Sequence, residues 1–237
     1  MDLSEGIILK SLPYLDQAKI VYVLTSEGKQ SFILKGGTSL KSHTFPFQQE
    51  LTKIAFSTQK NTFRGGKIIE FYPNIKENME KMATALQIIE IAHDLGEHVN
   101  EKTVFYQFTS DILTLLEKKE HPKLLLSIYQ LKNLYLLGLA PVFGHCVECG
   151  KEEDLVGFVL EAGGMKCHNC HTLTEPLVLD KTVEDMRRLY ITKLPEMDFP
   201  SLANTIDIKR LQTLLKEFYL HFLGFRSKVF NILESIE

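Results

Sequence analysis

Hydrophobic and polar positions follow two different rhythms along this chain, and the change falls near residue 77. From Gly6 to Ile75 the apolar residues come in short β-branched and aromatic runs separated by turn residues, which predicts strands. Gly6-Ile7-Ile8-Leu9 opens one, and Pro13-Tyr14-Leu15-Asp16 closes it. Ile20-Val21-Tyr22-Val23-Leu24-Thr25 stops at Glu27-Gly28, and Ser31-Phe32-Ile33-Leu34-Lys35 stops at Gly36-Gly37. Leu51-Thr52-Lys53-Ile54-Ala55-Phe56 alternates, and Arg64-Gly65-Gly66 is expected to turn the chain into Lys67-Ile68-Ile69-Glu70-Phe71-Tyr72. Five strands in roughly seventy residues suit a small closed barrel such as an OB-fold. An SH3-like barrel has similar strand numbers.

Beyond Pro73 the period lengthens to that of a helix. Met79, Met82, Leu86, Ile89 and His93 form one expected inner stripe, with Gly96 after it. A second helix is expected from about Glu101 to Lys119, facing inward through Phe105, Phe108, Ile112 and Leu115-Leu116. A third starts at His121-Pro122, where proline suits a first turn, and runs through Leu124, Ile128, Leu131 and Tyr135 to Gly138. Later, Asp180 or Thr182 can cap Val183–Ile191, and Asp207 can cap a stretch through Leu211, Leu214, Leu215, Phe218 and Phe222. A last segment covers Phe225–Ile236. The expected architecture is therefore α+β and multidomain: a five-stranded OB-fold barrel over residues 1–77, then a helical domain over 78–237. No internal repeat or long linker interrupts it.

Between the helices stands a different signal. The chain's four cysteines occur as Cys146-x-x-Cys149 and Cys167-x-x-Cys170, with seventeen residues between the pairs. A CxxC turn directs two thiolates at one ion, and two such knuckles complete a tetrahedral shell. Gly144, Gly150, Gly163 and Gly164 supply small residues around them. The expectation is one structural Zn2+ in a zinc-finger unit of about residues 142–176, inserted as a hairpin among the helices. A shell of four thiolates leaves no open position for substrate, which argues against a catalytic metal. A disulfide framework would require an oxidising compartment. A thioredoxin-like pair would head a helix, and a zinc deaminase would carry His-x-Glu, whereas His145-Cys146-Val147-Glu148 has the wrong spacing. His145, His168 and His171 adjoin the knuckles and are expected to lie outside the filled shell.

Composition changes this picture little. The opening residues lack the basic region and apolar core of a signal peptide, so a cytoplasmic location is expected. The most apolar run, Leu134–Ala140, is too short to span a membrane. Net charge is −3, yet it is unevenly spread: +2 over residues 1–80, −1 over 81–140, −5 over 141–180 and +1 over 181–237. The acidity is concentrated around the cysteines, so both ends can still present basic faces. The loop after the third strand carries Lys41, His43, Phe45 and Phe47, the mixture of cations and flat rings that single-stranded nucleic acid binds. Taken alone, those residues favour a blander reading, in which Phe45 and Phe47 plug the barrel and Lys41 is solvated.

The succession of these features resembles the RecO family of bacterial recombination mediators. Glu5-Gly6-Ile7-Ile8-Leu9-Lys10, Tyr14 with Asp16, Lys19-Ile20-Val21 and Leu24-Thr25 with Gly28 are similar to its opening hairpin. Lys35-Gly36-Gly37 and Lys41-Ser42 resemble its lysine–glycine turn and basic loop. Leu136–Pro141, Cys146–Gly150, Phe158, Gly163-Gly164 and Cys167-x-x-Cys170 resemble its metal segment, and Tyr219–Lys228 its closing segment. The resemblance implies a non-enzymatic, nucleoid-associated protein. It would bind single- and double-stranded DNA, anneal complementary strands, contact the tail of single-stranded DNA-binding protein (SSB), and help RecR load RecA. Phosphate contacts would then fall on Lys10, Lys35, Lys41, Arg64, Lys67, Arg226 and Lys228; for each, the alternative is a solvated surface charge. Two rival readings stand beside it: a zinc-stabilised protein–protein adaptor that binds no DNA by itself, and a zinc enzyme with an open metal position.

Overall fold

Alternation in residues 4–70 becomes a closed five-stranded, OB-like barrel in the computed structural model, which describes residues 3–36 and 41–229. The strands are β1 (Ser4–Tyr14), β2 (Ala18–Thr25), β3 (Gly28–Lys35), β4 (Lys53–Gln59) and β5 (Thr62–Glu70), in the order β1-β2-β3-β5-β4, with β4 pairing back onto β1. Every pairing is antiparallel except β3 with β5, where Ile33 meets Thr62. The inward positions Ile8, Val21, Val23, Phe32, Leu34, Ile54 and Phe56 fill the interior. Phe47, from a 3-10 turn at Phe45–Gln48, joins them and packs on Phe63 with ring centroids 4.7 Å apart.

One turn falls elsewhere than expected. Arg64-Gly65-Gly66 does not reverse the chain; it lies within β5, and the reversal occurs at Lys60 and Asn61, both left-handed with φ of 49° and 55°. Gly66 serves close approach instead. A Cβ there would stand 2.3 Å from the Ala55 carbonyl oxygen, so the β4–β5 ladder closes only over a glycine.

The chain divides into two compact units, one ending at Pro122 but including residues from Ser227, the other spanning Lys123–Arg226. In the first, α1 (Pro73–Glu77), α2 (Met79–Leu95) and α3 (Lys102–Lys118) accompany the barrel, with α2 against β1 and β2 and α3 against β2 and β3. Asn78 caps α2, its Oδ1 accepting the Lys81 amide at 3.0 Å. The buried face of α2 includes the expected Ile89 but is centred away from the expected stripe, with Met82, Leu86 and His93 only half-buried. Ala85, Ile88, Ile89, Ile91, Ala92 and Leu95 are inside, whereas Met79 is 84% exposed. Small residues let α2 approach closely, and they weigh little in a hydrophobic pattern.

In the second unit α4 (Pro122–Leu136) is buried almost all round: Leu124, Leu125, Leu126, Ile128, Tyr129, Leu131 and Leu134 are all inside, as a central helix requires. Tyr135, expected on its inner stripe, is exposed. The β6 (Leu155–Val159) and β7 (Gly164–Cys167) hairpin follows, then α5 (Thr182–Ile191), α6 (Phe199–Thr205) and α7 (Ile208–Leu223). Asp207 caps α7 through the Arg210 amide at 3.0 Å, and Asp180 accepts the Thr182 amide at the head of α5 at 2.9 Å. Of the expected closing segment, residues 230–236 lie outside the described residues, as do Gly37 and Thr38–Leu40. Among the described residues no helix is long and apolar enough to cross a membrane.

Candidate metal centre and nucleic-acid interface

Each cysteine pair is shaped by its own backbone. In the first knuckle the Gly150 amide donates to the Cys146 carbonyl at 2.8 Å, and Gly150 takes the left-handed φ of +75° that this return requires. In the second, the amides of Cys170 and His171 donate to the Cys167 carbonyl at 3.1 and 3.0 Å. The β6–β7 hairpin delivers Cys167, and the Val147 amide reaches the Met165 carbonyl at 2.8 Å, setting the first knuckle beside β7.

The four sulfur atoms consequently lie within 4.8 Å of one another, with Cys149 Sγ and Cys167 Sγ 3.6 Å apart. A tetrahedral zinc–thiolate shell with bonds of about 2.3 Å has edges of about 3.8 Å, so the thiols fit such an ion. They are free rather than disulfide-bonded. Cys146 and Cys167 are buried, Cys149 is exposed and Cys170 half-buried. The Cys149 amide, with other backbone donors, lowers the Cys146 thiol to about 6, while sharing hydrogen bonds with the Cys149 and Cys167 thiols pushes Cys170 up. Four ionisable thiols at this distance cannot all ionise unaided; a cation in their midst is what lets them. His145 and His168 are exposed, and the His171 ring meets the Glu175 carbonyl at 3.1 Å. Among the described residues the metal-binding group consists of the four cysteines alone.

Sequence reasoning missed the group next to it. Lys166, 3% exposed, donates to Glu148 Oε1 at 2.6 Å and to Glu175 Oε1. Glu175 is held at about 2, first by that ammonium and then by the Thr172 amide. The only signal in the sequence is that Lys166 is one of two lysines in an acidic stretch.

The expected phosphate contacts are distributed over several places. Arg64 and Lys67 are exposed on β5, Arg64 at a bulge between the Ser57–Gly65 and Thr58–Phe63 pairs, and Lys67 opposite Ala55. Lys35 is exposed at the end of β3, where its carbonyl accepts the Thr44 hydroxyl at 3.2 Å, and Lys41 is exposed in the same loop. The rings of that loop divide: Phe47 is in the barrel interior and Phe45 is half-buried. Lys10 and Lys228 instead line one cavity of about 150 Å³ together with Glu50, Glu90 and Asp94. Glu90 organises it, accepting the Ser227 hydroxyl at 2.6 Å and the Lys228 amide at 2.8 Å. His93 reaches the same cavity; its Nδ1 meets Asp94 at 2.6 Å and its Nε2 has no hydrogen-bond partner among the described residues. Arg226 is exposed and belongs to the second unit, away in the chain's division from Lys228.

Comparison with known proteins gives two adjoining matches. Residues 1–72 match the family model described as Recombination protein O N terminal, and residues 76–228 the one described as Recombination protein O C terminal. The chain is 28% identical over 244 residues to the DNA repair protein RecO of Bacillus mycoides, covering 98% of this chain and 96% of that one. It is 26% identical over 248 residues to the namesake from Listeria innocua, covering 100% and 95%, and 29% identical over 175 residues to that of Syntrophomonas wolfei, covering 70% and 69%.

Proposed function

Since this chain belongs to the recombination protein O family, we propose that it is a DNA repair and recombination mediator that binds single- and double-stranded DNA. In this reading it anneals complementary strands and helps load RecA onto SSB-coated single strands together with RecR. The work is binding rather than bond-making. Residues 1–77 act as the DNA-binding barrel and residues 78–237 as the helical part. The protein works in the cytoplasm, at the nucleoid.

The observation that carries this reading is β5, where Arg64 and Lys67 stand exposed on an OB-like barrel with Lys35 and Lys41 on the same unit. Exposed cations on a strand surface neutralise phosphates and release counterions, which gives sequence-independent, salt-sensitive binding. Lys10 and Lys228 contribute less directly, since three carboxylates line the cavity they share. Base stacking falls to rings other than Phe47. Lysines outnumber arginines twenty-two to five, so phosphates are met mainly by point charges.

The metal is one structural Zn2+ held by Cys146, Cys149, Cys167 and Cys170. When bound it supplies cross-linking of two loops and no open coordination position. The charge of −5 over residues 141–180 repels phosphate, so this unit is assigned to protein partners rather than to DNA.

Fluorescence anisotropy of a labelled single-stranded oligonucleotide, titrated with salt, tests the reading. Binding at low salt that weakens linearly in log salt is expected, and Lys41→Glu or Lys67→Glu should weaken it and reduce the slope by about one each. No binding at low salt would turn the assignment to a zinc-stabilised adaptor without DNA affinity of its own.

A further inference from the structure

We propose that Lys166 is a positioning residue for the four-cysteine centre: by gripping Glu148 and Glu175 at once it fixes the two knuckles relative to each other and so governs how tightly the metal is kept. The inference concerns the metal centre alone and does not depend on DNA binding.

The backbone bonds within each knuckle set the spacing inside a pair of cysteines, not the spacing between pairs. That second distance is set by backbone hydrogen bonds and by Lys166. The Val147 amide donates to the Met165 carbonyl at 2.8 Å and the His168 amide to the Asp154 carbonyl at 3.0 Å, while Val142, ahead of the first knuckle, is bonded to Gly163 and Met165 at 3.0 and 2.8 Å. Among the described residues, Lys166 adds the one ion-paired link between the two sides. It directly precedes Cys167; Glu148 lies between Cys146 and Cys149, and Glu175 follows the second knuckle. A single ammonium thus reaches the first knuckle and the chain leaving the second.

The far end of the grip is also built. Glu175 Oε2 accepts the Thr172 amide at 2.9 Å, the Glu175 amide donates to the Thr172 carbonyl at 3.0 Å, and the Glu175 carbonyl meets His171 at 3.1 Å. Pulling Glu175 toward Lys166 therefore closes the loop that begins at Cys170. Glu148, 51% exposed, and Glu175, 26% exposed, remain near water while the lysine does not.

Two physical arguments assign the role to geometry. A lysine buried to this degree is costly unless paired, and an apolar side chain of similar length would often serve folding as well or better. Nor does the group neutralise the centre. Four thiolates on a divalent ion sum to −2, and one ammonium with two carboxylates sums to −1, so like charges face each other. What remains is orientation of the ligands, an effect that typically changes metal affinity about 10- to 100-fold when removed.

The full-length protein loaded with zinc, set against a chromophoric chelator, provides the test. Lys166→Met is expected to lose about 10- to 100-fold in zinc affinity. Its Co2+-substituted form should keep the visible absorption of a tetrahedral four-thiolate site, because the ligands are unchanged. Lys166→Arg, which can still fork onto two carboxylates, should recover most of the loss. Glu148→Gln with Glu175→Gln should match Lys166→Met and add little when combined with it. Wild-type zinc affinity in Lys166→Met overturns the proposal. Should that variant fail to fold, wild-type affinity in the double carboxylate variant overturns it equally. A merely structural lysine would lower the melting temperature with and without metal and leave affinity unchanged.

Discussion

The barrel and the cysteine unit are both built from strands, yet they are held by different forces. The barrel closes five strands around Ile8, Val21, Val23, Phe32, Leu34, Ile54 and Phe56, a continuous apolar interior with every strand paired on both sides. The cysteine unit has strands of five and four residues in a single hairpin. Such a hairpin is marginal in water by itself. Phe158 and Val159 are buried there, but so are Cys146, Cys167 and the charged Lys166. A barrel that owns its core tolerates local damage by degrees. A unit whose few buried apolar residues share the interior with thiols and an ammonium is expected to depend on a bound ion and on ligand geometry, and it should be lost as a whole.

Metal removal should separate the two most sharply. Stripping the ion with a chelator, or replacing Cys170 by Ser, is expected to abolish amide protection over residues 146–171. Structural zinc is worth about 10–16 kcal/mol in isolated finger peptides, so the loss should be complete rather than graded. Hydrogen exchange read by mass spectrometry should find β1 to β5 as protected as before. Persistent protection around the cysteines in demonstrably metal-free protein would mean that the hairpin stands on packing after all.

The converse perturbation is smaller. Phe56 is 2% exposed and touches Phe32 across the interior, with ring centroids 5.2 Å apart. Phe56→Ala should cost about 3–5 kcal/mol in a denaturant titration of the barrel. Zinc content and zinc affinity should not move. A parallel fall in zinc affinity would show that the two regions share stability and are not held independently.

These two regions were also unequally legible in the sequence. The cysteine spacing predicts the four-sulfur cluster because ligand chemistry imposes a local rule. Strand alternation predicts β2, β3 and β4 because one face of each is apolar. Lys166 with Glu148 and Glu175 has no such rule, since an ion pair across nine or eighteen residues leaves no period behind. In the loop before β4, the residues alone favoured rings that plug the barrel, and Phe47 does so. Helix α2 misled because Thr84, Ala85 and Ala92 pack inside while Met79 points to solvent. Close approach selects small side chains, and a hydrophobic stripe cannot register them.

The glycine pair in β5 gives the smallest and most local of the expected effects, and its two members should differ in sign. Gly-Gly reads as a turn, but Lys60 and Asn61 make the turn, Asn being tolerant of left-handed φ. A Cβ on Gly65 meets nothing within 4 Å. Gly65→Ala should therefore stabilise the barrel by roughly 0.4–1 kcal/mol, through the entropy it removes from the unfolded chain. A Cβ on Gly66 would sit 2.3 Å from the Ala55 carbonyl oxygen and 3.2 Å from Phe47. Backbone has little room to yield there, so Gly66→Ala should cost about 1–3 kcal/mol, as overpacking does. Thermal melts of the two variants decide the matter. Equal shifts of one sign would mean that the β4–β5 ladder is looser than its register implies, and that the barrel, like the cysteine unit, relies on something other than its own packing.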